Sequence, residues 1–329
     1  MTDMRKVKKR FIILPLTLAL LTACSNDEDE KSHTSDKRVP LEIVASIDLQ
    51  AQMFTRAVET AWEAGDKIGV YMILHSATTP AIYEDAEHTK GENMPYTFDD
   101  GTNYETYGNT YRLFTPNSKK IYLSETSVDI YGYYPYAAKK KNNTDDLDPT
   151  AIEIDVSNQT SQKAIDFMRA RTGNMNNENI AIELLFQHRL VKLVFNLKQG
   201  EGLLEDELKD ASSLTMTIGG QPVAATYNLY NDAFIITAAN NDITPVKASS
   251  APTGYVRTFE AIVLPNGASN PANNRTVTIE FFRNSKDIIT NTFTIPGSTY
   301  FEKGFKYTYN VTVNATSIQV DPTKYTEQW

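Results

Sequence analysis

The stretch Val39–Asp48 reads VPLEIVASID, and its polarity alternates residue by residue. One set of alternate positions is apolar, namely Leu41, Ile43, Ala45 and Ile47. The intervening positions carry Glu42, Ser46 and Asp48. A period of two with β-branched residues is typical of a strand that buries one face. We therefore predict that the folded part of the chain begins with a half-buried strand at 39–48.

Similar strand patterns continue through the rest of the chain, separated by loops rich in Asn, Asp, Pro and Gly. Few segments have a convincing helical period, although Glu201–Ala211 could form a helix and Gln162–Arg171 is ambiguous. Many strands without strand–helix–strand alternation favour antiparallel β-sandwiches. The further predicted strands are Lys67–Leu74, Thr110–Phe114, Val128–Tyr136, Ala151–Val156, Ile180–Leu197, Leu214–Ile218, Ala233–Thr237, Tyr255–Leu264, Arg275–Phe282, Ile288–Ile295 and Phe305–Val313.

The amino terminus has the organisation of an export signal. Basic residues precede the apolar run Phe11–Leu21, which is shorter than the ~20 residues that span a bilayer. The sequence Leu21-Thr22-Ala23-Cys24 resembles the lipobox of bacterial lipoproteins, a resemblance that implies cleavage before Cys24 and acylation of that residue. The alternative is an ordinary secretory signal with a chance cysteine. We predict a lipoprotein signal peptide at 1–23.

Residues 24–38 are predicted to form a disordered, acidic tether, because Asp27–Glu30 and the polar residues after it cannot bury a core. Acidic residues directly behind a lipidated cysteine resemble the surface-export signal of lipoproteins from Bacteroidota. A plain solvated spacer is the alternative. The only predicted membrane attachment is the lipid on Cys24.

Composition excludes several classes of function. The net charge of −9 argues against a nucleic-acid partner, which requires a basic surface. A single cysteine cannot form an internal disulfide, and the four histidines lack metal-ligand spacing. His188 lies in an apolar strand, where a hydrogen-bonded structural role is expected. Without a nucleophile, phosphate-binding or metalloprotease motif, the sequence predicts neither an enzyme nor a cofactor.

The tyrosine-rich segment Tyr131–Tyr136 is the best candidate for binding a ligand. Exposed Tyr131 and Tyr133 rings could stack on sugars. A strand that alternates must also place some of these aromatic residues in the core, and aromatic residues favour strands in any case. The structural interpretation is favoured.

Several segments in order resemble the fimbrillin family, the subunits of type V pili in Bacteroidota. Each is short, but together they extend over nearly the whole mature chain. The matching segments are Leu21–Cys24, Val39–Asp48, Thr55–Ala57, Trp62–Tyr71, Tyr133–Tyr136, Asp166–Ala170, Phe186–Leu193 and Trp329.

The resemblance implies an all-β chain with two tandem transthyretin-like antiparallel β-sandwich domains, which we place at 39–179 and 180–329. It also implies that an arginine-specific protease cuts after Arg56, with Arg38 as the less favoured site. The cut would remove the first strand, 39–48, and a donor strand from a neighbouring pilus subunit would replace it. The expected location is the outer membrane surface, and then the fimbrium after processing.

The carboxyl-terminal tail, 315–329, departs from the pattern of a donor strand. Pro322 interrupts it because proline cannot donate to a strand ladder, and Tyr325 is out of phase with Ile318 and Val320. A short tail favours a tip or accessory subunit that accepts a strand. Two alternatives remain, an unprocessed surface lipoprotein that binds glycans or host ligands and, more distantly, a hydrolase.

Overall fold

The structure is a computed structural model that describes residues 38–48, 62–106, 109–117, 119–140, 145–179, 182–209, 213–237, 240–266, 273–283, 287–321 and 325–329. These residues belong to one structural unit that runs from Lys37 to Trp329. They form an almost entirely β structure, as the sequence predicts.

The first half of the described chain contains ten strands and one short helix. In chain order they are β1 (Val39–Pro40), β2 (Ile43–Ile47), β3 (Lys67–Leu74), β4 (Met94–Thr106), β5 (Asn109–Pro116), β6 (Tyr122–Leu123), β7 (Val128–Tyr134), β8 (Ile152–Asp155), α1 (Gln162–Ile165), β9 (Met168–Met175) and β10 (Ile182–His188).

The second half contains twelve strands and one short helix. They are β11 (Val191–Gln199), α2 (Glu205–Lys209), β12 (Thr215–Pro222), β13 (Ala224–Asn228), β14 (Ala233–Ile236), β15 (Asn240–Ile243), β16 (Val246–Lys247), β17 (Arg257–Val263), β18 (Arg275–Arg283), β19 (Asp287–Ile295), β20 (Phe305–Val313), β21 (Ile318–Val320) and β22 (Tyr325–Gln328).

Seven strands of the first half close into a ring, in the order β10-β2-β5-β4-β3-β7-β9. Strand β9 pairs with β10 and completes the circle. The second half builds a six-stranded sheet around β17, β11 and β20, and a four-stranded sheet in the order β15-β12-β18-β19. Strand β8 joins β13 and β14 in a three-stranded sheet, and β1 pairs with β6.

Two strand pairs correct the expectation of purely antiparallel sheets. Strand β2 runs parallel to β10, and β11 runs parallel to β20. All other pairs among the described strands are antiparallel. Parallel strands need a long connection, and more than a hundred residues separate the two members of each pair.

Strand pairing crosses the predicted boundary between residues 179 and 180. Strand β10 follows that boundary, yet it pairs with β2 and β9 in the ring. Strand β8 precedes the boundary, yet it pairs with β13 of the second half. The predicted strand Ile180–Leu197 divides into β10 and β11, because Arg189 and Leu190 end the first ladder before the second begins.

The residues of β3 and β7 face two different cores. Alternate residues Ile68, Val70 and Met72 pack inside the ring, whereas Tyr71 and Ile73 pack with residues of the second half. Strand β7 is buried along its whole length for the same reason. Burial on both faces explains why this part of the sequence lacks polar alternation.

A turn that includes Gly65 precedes β3. Gly65 adopts a φ of 90°, a left-handed conformation that glycine accepts without a steric cost. The Asp66 carboxylate accepts a hydrogen bond from the Glu63 amide at 2.8 Å. The two ambiguous helical segments are short, because Gln162–Arg171 divides into α1 and the start of β9, and α2 has five residues.

Replacing Phe186 by Ala is expected to destabilise the fold by about 3–5 kcal/mol, because its ring is fully buried in the ring core and a cavity would remain. Urea unfolding of the purified protein measures the change. The matched control is Leu185→Ala on the same strand, whose side chain is 46% exposed, and it should cost about 0.5 kcal/mol or less. Equal losses for the two variants would contradict the burial described here.

Candidate functional site

Strand β2 occupies a place between two strands that are distant in sequence, and we call this place the first-strand slot. On one side Ile43 to Ile47 lie opposite Ile182 to Phe186 of β10. On the other side Ile43 and Val44 lie opposite Phe114 and Leu113 of β5. Strand β2 is therefore the link that closes the ring between β5 and β10.

Backbone hydrogen bonds extend this pairing beyond the strand. The Leu41 amide donates to the Ile121 carbonyl at 2.9 Å. The Ile182 amide donates to the Glu42 carbonyl at 2.9 Å, and the Asp48 amide donates to the Phe186 carbonyl at 2.7 Å. Removing the segment would leave donors and acceptors unpaired on both walls of the slot.

The apolar side chains of the segment point into the ring core. Leu41, Ile43, Ala45 and Ile47 are all buried, as the alternation predicts, and Val44 is buried as well. Burying Leu41, Ile43 and Ile47 stabilises the fold by roughly 5–9 kcal/mol, at roughly 1.5–3 kcal/mol for each side chain. That sum is similar to the whole stability of an ordinary domain.

Trp62 completes the slot where β5 ends its pairing. Its indole N–H donates to the Ala45 carbonyl at 3.1 Å, one residue beyond the last β5 partner. The indole ring also meets three aromatic rings edge-on, with centroid distances of 5.1–5.4 Å to Phe114, Tyr134 and Phe186. One side chain thus contacts the segment and both walls of the slot.

Polar groups surround the end of the slot. Asp48 accepts a hydrogen bond from the Gln187 amide group at 2.9 Å. Lys163 lies 2.9 Å from Asp66 and also pairs with Glu63. A cavity of about 250 Å³ lies here, lined by Ile47, Trp62, Glu63, Asp66, Tyr134, Gln162, Lys163, Asp166, Met168 and Ile262.

Of the three residues predicted for lipidation or cleavage, the structure describes only Arg38. Cys24 and Arg56 lie outside the described residues. Arg38 directly precedes β1, with a side chain that is 30% exposed and 3.5 Å from Glu87. Since Arg38 comes before the whole first-strand segment, a cut after it would leave that segment attached to the rest of the chain.

Tyr131 and Tyr133 are buried, which corrects the idea that their rings are open to a ligand. The Tyr131 ring lies beneath the guanidinium groups of Arg169 and Arg171, at 5.4 and 5.5 Å. The Tyr133 hydroxyl donates to Asn93 at 2.6 Å within the core. Both rings lie on the face of β7 that packs against the second half.

The carboxyl-terminal tail folds back on its own chain. Strand β21 pairs with Val311–Val313 of β20, and β22 pairs with Phe305–Thr308 of the same strand, with the register shifted by two residues between them. A shift of two residues leaves the alternation of faces unchanged, so Tyr325, opposite Thr308, stays out of phase with Ile318 and Val320, which lie opposite Val313 and Val311. The tail therefore covers the edge of β20 in this structure.

Trp329 attaches the end of the tail. Its amide donates to the Gly304 carbonyl at 2.7 Å, and its ring stacks on His188 at 4.2 Å. His188 is buried and hydrogen-bonded to Asp166 at 2.9 Å, which confirms its predicted structural role. Gly304 has a φ of 78°, and a Cβ there would lie 2.9 Å from the His188 carbonyl oxygen, so glycine is required.

Within the described ranges, no cluster of three or more His, Cys, Asp or Glu side chains has the arrangement of a metal site. The same part of the chain holds no helix with the length and hydrophobicity needed to cross a membrane.

Comparisons with known proteins agree with this β architecture. A family model described as fimbrillin-like matches residues 55–329. A protein of Bacteroides uniformis, provisionally named fimbrium subunit Fim1C, is 29% identical over 95% of this chain and 93% of its own length.

Solved structures are similar as well. A protein of Bacteroides uniformis, provisionally described as a cell adhesion protein, superposes with a TM-score of 0.62 and 25% identity, over 90% of this chain and all of its own. A protein of Bacteroides ovatus with the same provisional description gives a TM-score of 0.60 at 21% identity, over 89% of this chain and 98% of its own. The second likeness concerns the fold alone.

Replacing Trp62 by Phe is expected to loosen β2 selectively, because the Ala45 carbonyl loses its indole donor at a cost of about 1–3 kcal/mol. Hydrogen exchange at the amides of Ile43–Ile47 should become faster. Exchange in Phe305–Val313 of β20 is the internal control and should change little. Uniform acceleration in both strands would indicate a global loss of stability instead.

Proposed function

Because this chain belongs to the fimbrillin-like family, we propose that it is a cell-surface fimbrial subunit with a role in adhesion, and that it assembles by donor-strand exchange. An arginine-specific protease removes the first strand, and a strand from a neighbouring subunit fills the slot. The subunit reaches the outer membrane surface as a lipoprotein acylated on Cys24. The acidic tether at 24–38 separates the lipid from the folded part.

The observation that carries this proposal is the position of β2 as the link that closes the ring. It is held by two ladders and by apolar burial, and no disulfide can retain it because the chain has one cysteine. Cutting the chain after Arg56 converts β2 from a covalent part of the subunit into a bound peptide. The family model begins at residue 55, so β2 lies outside the part of the chain that the model matches.

The choice between the two arginines follows from where each lies. A cut after Arg56 separates residues 24–56, including β2 and the lipidated cysteine, from the body of the subunit. A cut after Arg38 removes the lipid and tether, but β1 and β2 remain continuous with the rest of the chain. Only the cut after Arg56 opens the slot.

The slot also defines what a donor must provide. Its two walls are β5 and β10, and each presents a row of backbone donors and acceptors. Phe114 of β5 and Phe186 of β10 add buried apolar rings. A donor therefore needs apolar residues at alternate positions and an extended backbone, which is the chemistry of β-augmentation. Trp62 follows the cut, so it stays with the subunit and can contact the incoming strand.

The tail at 315–329 favours a tip or accessory position. Strands β21 and β22 are paired with β20 of their own chain, and Trp329 is packed on His188. A tail used in this way is not available to a neighbour. This subunit accepts a strand and need not donate one.

The competing function is an unprocessed lipoprotein that binds glycans or host ligands. The burial of Tyr131 and Tyr133 removes the residues on which that hypothesis depended. It differs from the fimbrial function in one measurable property, the amino terminus of the protein on intact cells.

Arg56→Ala is expected to abolish processing and assembly, because an arginine-specific protease loses its cleavage residue. Amino-terminal sequencing should find Ala57 first in the wild-type surface protein and lipidated Cys24 first in the variant. Ladders of subunits on denaturing gels should be present only for the wild type.

Arg38→Ala is the matched control, because it removes the other arginine that flanks the strand, and it should leave processing and ladders intact. Wild-type protein that stays monomeric and always begins at Cys24 would overturn the proposal. Loss of processing in Arg38→Ala alone would assign the cut to Arg38 and exclude removal of the strand.

A synthetic peptide with the sequence of residues 39–48 is expected to bind the cleaved subunit and block its polymerisation. An Ile43→Asp peptide should bind at least ~100-fold more weakly, because it places a charge in a buried apolar position. The control is a Ser46→Asp peptide, with the same charge on the less buried face. Equal binding of the two altered peptides would contradict occupation of the slot.

A further inference from the structure

The first-strand segment ends in a polar contact. Asp48 directly follows β2, and its carboxylate accepts a hydrogen bond from the Gln187 side-chain amide at 2.9 Å. Both residues come directly after the last pair of the parallel ladder, Ile47 and Phe186, and both are only partly buried. The contact therefore lies at the end of the slot where the ladder stops.

Arg189 determines which way the Gln187 amide points. Its Nη2 donates to the Gln187 side-chain oxygen at 3.0 Å. A guanidinium group only donates hydrogen bonds, so the oxygen of Gln187 must face Arg189 and the NH2 group must face Asp48. Arg189 is itself held, because its Nε lies 2.8 Å from the Asp232 carboxylate. The end of the slot thus presents a hydrogen-bond donor with a fixed direction.

Charged side chains around this donor hold one another in place. They line a cavity of about 210 Å³, whose walls include Asp48, Gln187, Arg189, Asp232 and Lys303. Lys303 pairs with Asp232 at 2.7 Å, and the Tyr227 hydroxyl donates to the same carboxylate at 2.5 Å. Burial opposes the ionisation of Asp232, but the hydrogen bonds from Lys303 and Tyr227 outweigh it and lower the pKa of Asp232. An ionised Asp232 keeps Arg189 beside Gln187.

Apolar alternation alone does not fix the register of a strand in the slot. A slip of one residue would turn the apolar side chains outward, but a slip of two keeps them inward. Backbone donors and acceptors also recur every two residues, so a strand that slipped by two would still pair. Along the outward face of β10, the side chains before Gln187 are Glu183 and Leu185, and neither donates a hydrogen bond. The Gln187 amide can therefore distinguish registers that the rest of β10 does not.

We propose that Gln187 sets the register of the strand that occupies the slot, and that the donor strand of the neighbouring subunit carries an acidic residue directly after its last inward-facing apolar residue. This inference rests on the proposed donor-strand exchange, in which Asp48 leaves together with β2. A carboxylate in the same place restores the hydrogen bond to Gln187, and bonds to ionised acceptors are roughly twice as strong as bonds between neutral groups. A donor that slipped by two residues would place its acidic group opposite Leu185 and leave Gln187 without that acceptor.

Exchange of labelled peptides into the chain cleaved after Arg56 tests the need for an acidic residue. The peptide has the sequence of residues 39–50 and an amidated carboxyl terminus, so that no terminal carboxylate lies near Asp48. An Asp48→Ala peptide should bind about tenfold more weakly, because Gln187 loses a charged acceptor. The matched control is a Glu42→Gln peptide, which loses the same charge at the other end of the segment. It should bind as the unaltered peptide does, because the Glu42 carboxylate has no hydrogen bond or ion pair with another described residue.

Disulfide trapping measures the register itself. The peptide carries Ser46→Cys, and the subunit carries either Leu185→Cys, which lies opposite Ser46, or Glu183→Cys, two residues earlier on β10. The cleaved subunit has no other cysteine, because Cys24 leaves with the first strand. The peptide that retains Asp48 should couple to Leu185→Cys alone, whereas the Asp48→Ala peptide should couple at both positions.

Gln187→Glu reverses the requirement. The new carboxylate can still pair with Arg189, but no donor remains for Asp48, so the unaltered peptide should bind about tenfold more weakly. An Asp48→Lys peptide should recover the binding to this variant. Recovery by an opposite charge separates a lost contact from a damaged fold, which no peptide would repair.

Two results would contradict the inference, and they differ in what else they exclude. Equal binding and equal trapping patterns for the peptides with and without Asp48 would overturn the role of Gln187 and leave donor-strand exchange intact. Failure of every peptide to enter the slot would overturn donor-strand exchange itself, and the register inference with it.

Discussion

The two-sided pairing of Ile43–Ile47 is the constraint on which the rest of the first half depends. This five-residue strand joins β5 to β10, and without it the ring of seven strands has two open edges. Its partners lie about 70 and 140 residues away in the sequence, so the ring is closed by contacts between distant parts of the chain. A cut in the chain after this strand would leave it held only by these long-range contacts.

The fold class could be predicted from strands that bury only one face, because the polarity of their residues alternates. Val39–Asp48 alternates, and the pattern identified the four inward residues correctly. The tyrosine segment was harder because β7 is buried on both faces. There the alternation separates two cores, with Ile130 in one and Tyr131 in the other, so polarity carries no signal. Burial of the tyrosines follows from the packing of the two halves, which a local pattern does not contain.

Strand partners and some strands could not be predicted for a related reason. Period two defines the face of a strand but not its neighbour, so the parallel pairing of β2 with β10 and the exchange of β8 and β10 across the predicted boundary appear only in the structure. Strand β4 includes Asp99–Asn103, which resembles a loop in composition.

The energetics of the slot explain why opening and assembly would have to be coupled. The three large side chains of the first-strand segment stabilise the fold by roughly 5–9 kcal/mol, while domains of ordinary size are stable by about 5–15 kcal/mol. In a subunit that lost this segment, the ring of strands would therefore retain little of its stability. The open edges of β5 and β10 would be prone to aggregate. A donor strand with the same apolar pattern would restore the apolar burial and would pair both open edges. Trp62 follows Arg56 in the sequence, so a cut after Arg56 would leave it in aromatic contact with both walls of the slot, through Phe114 of β5 and Phe186 of β10, and these contacts would hold the two walls together while the slot is empty.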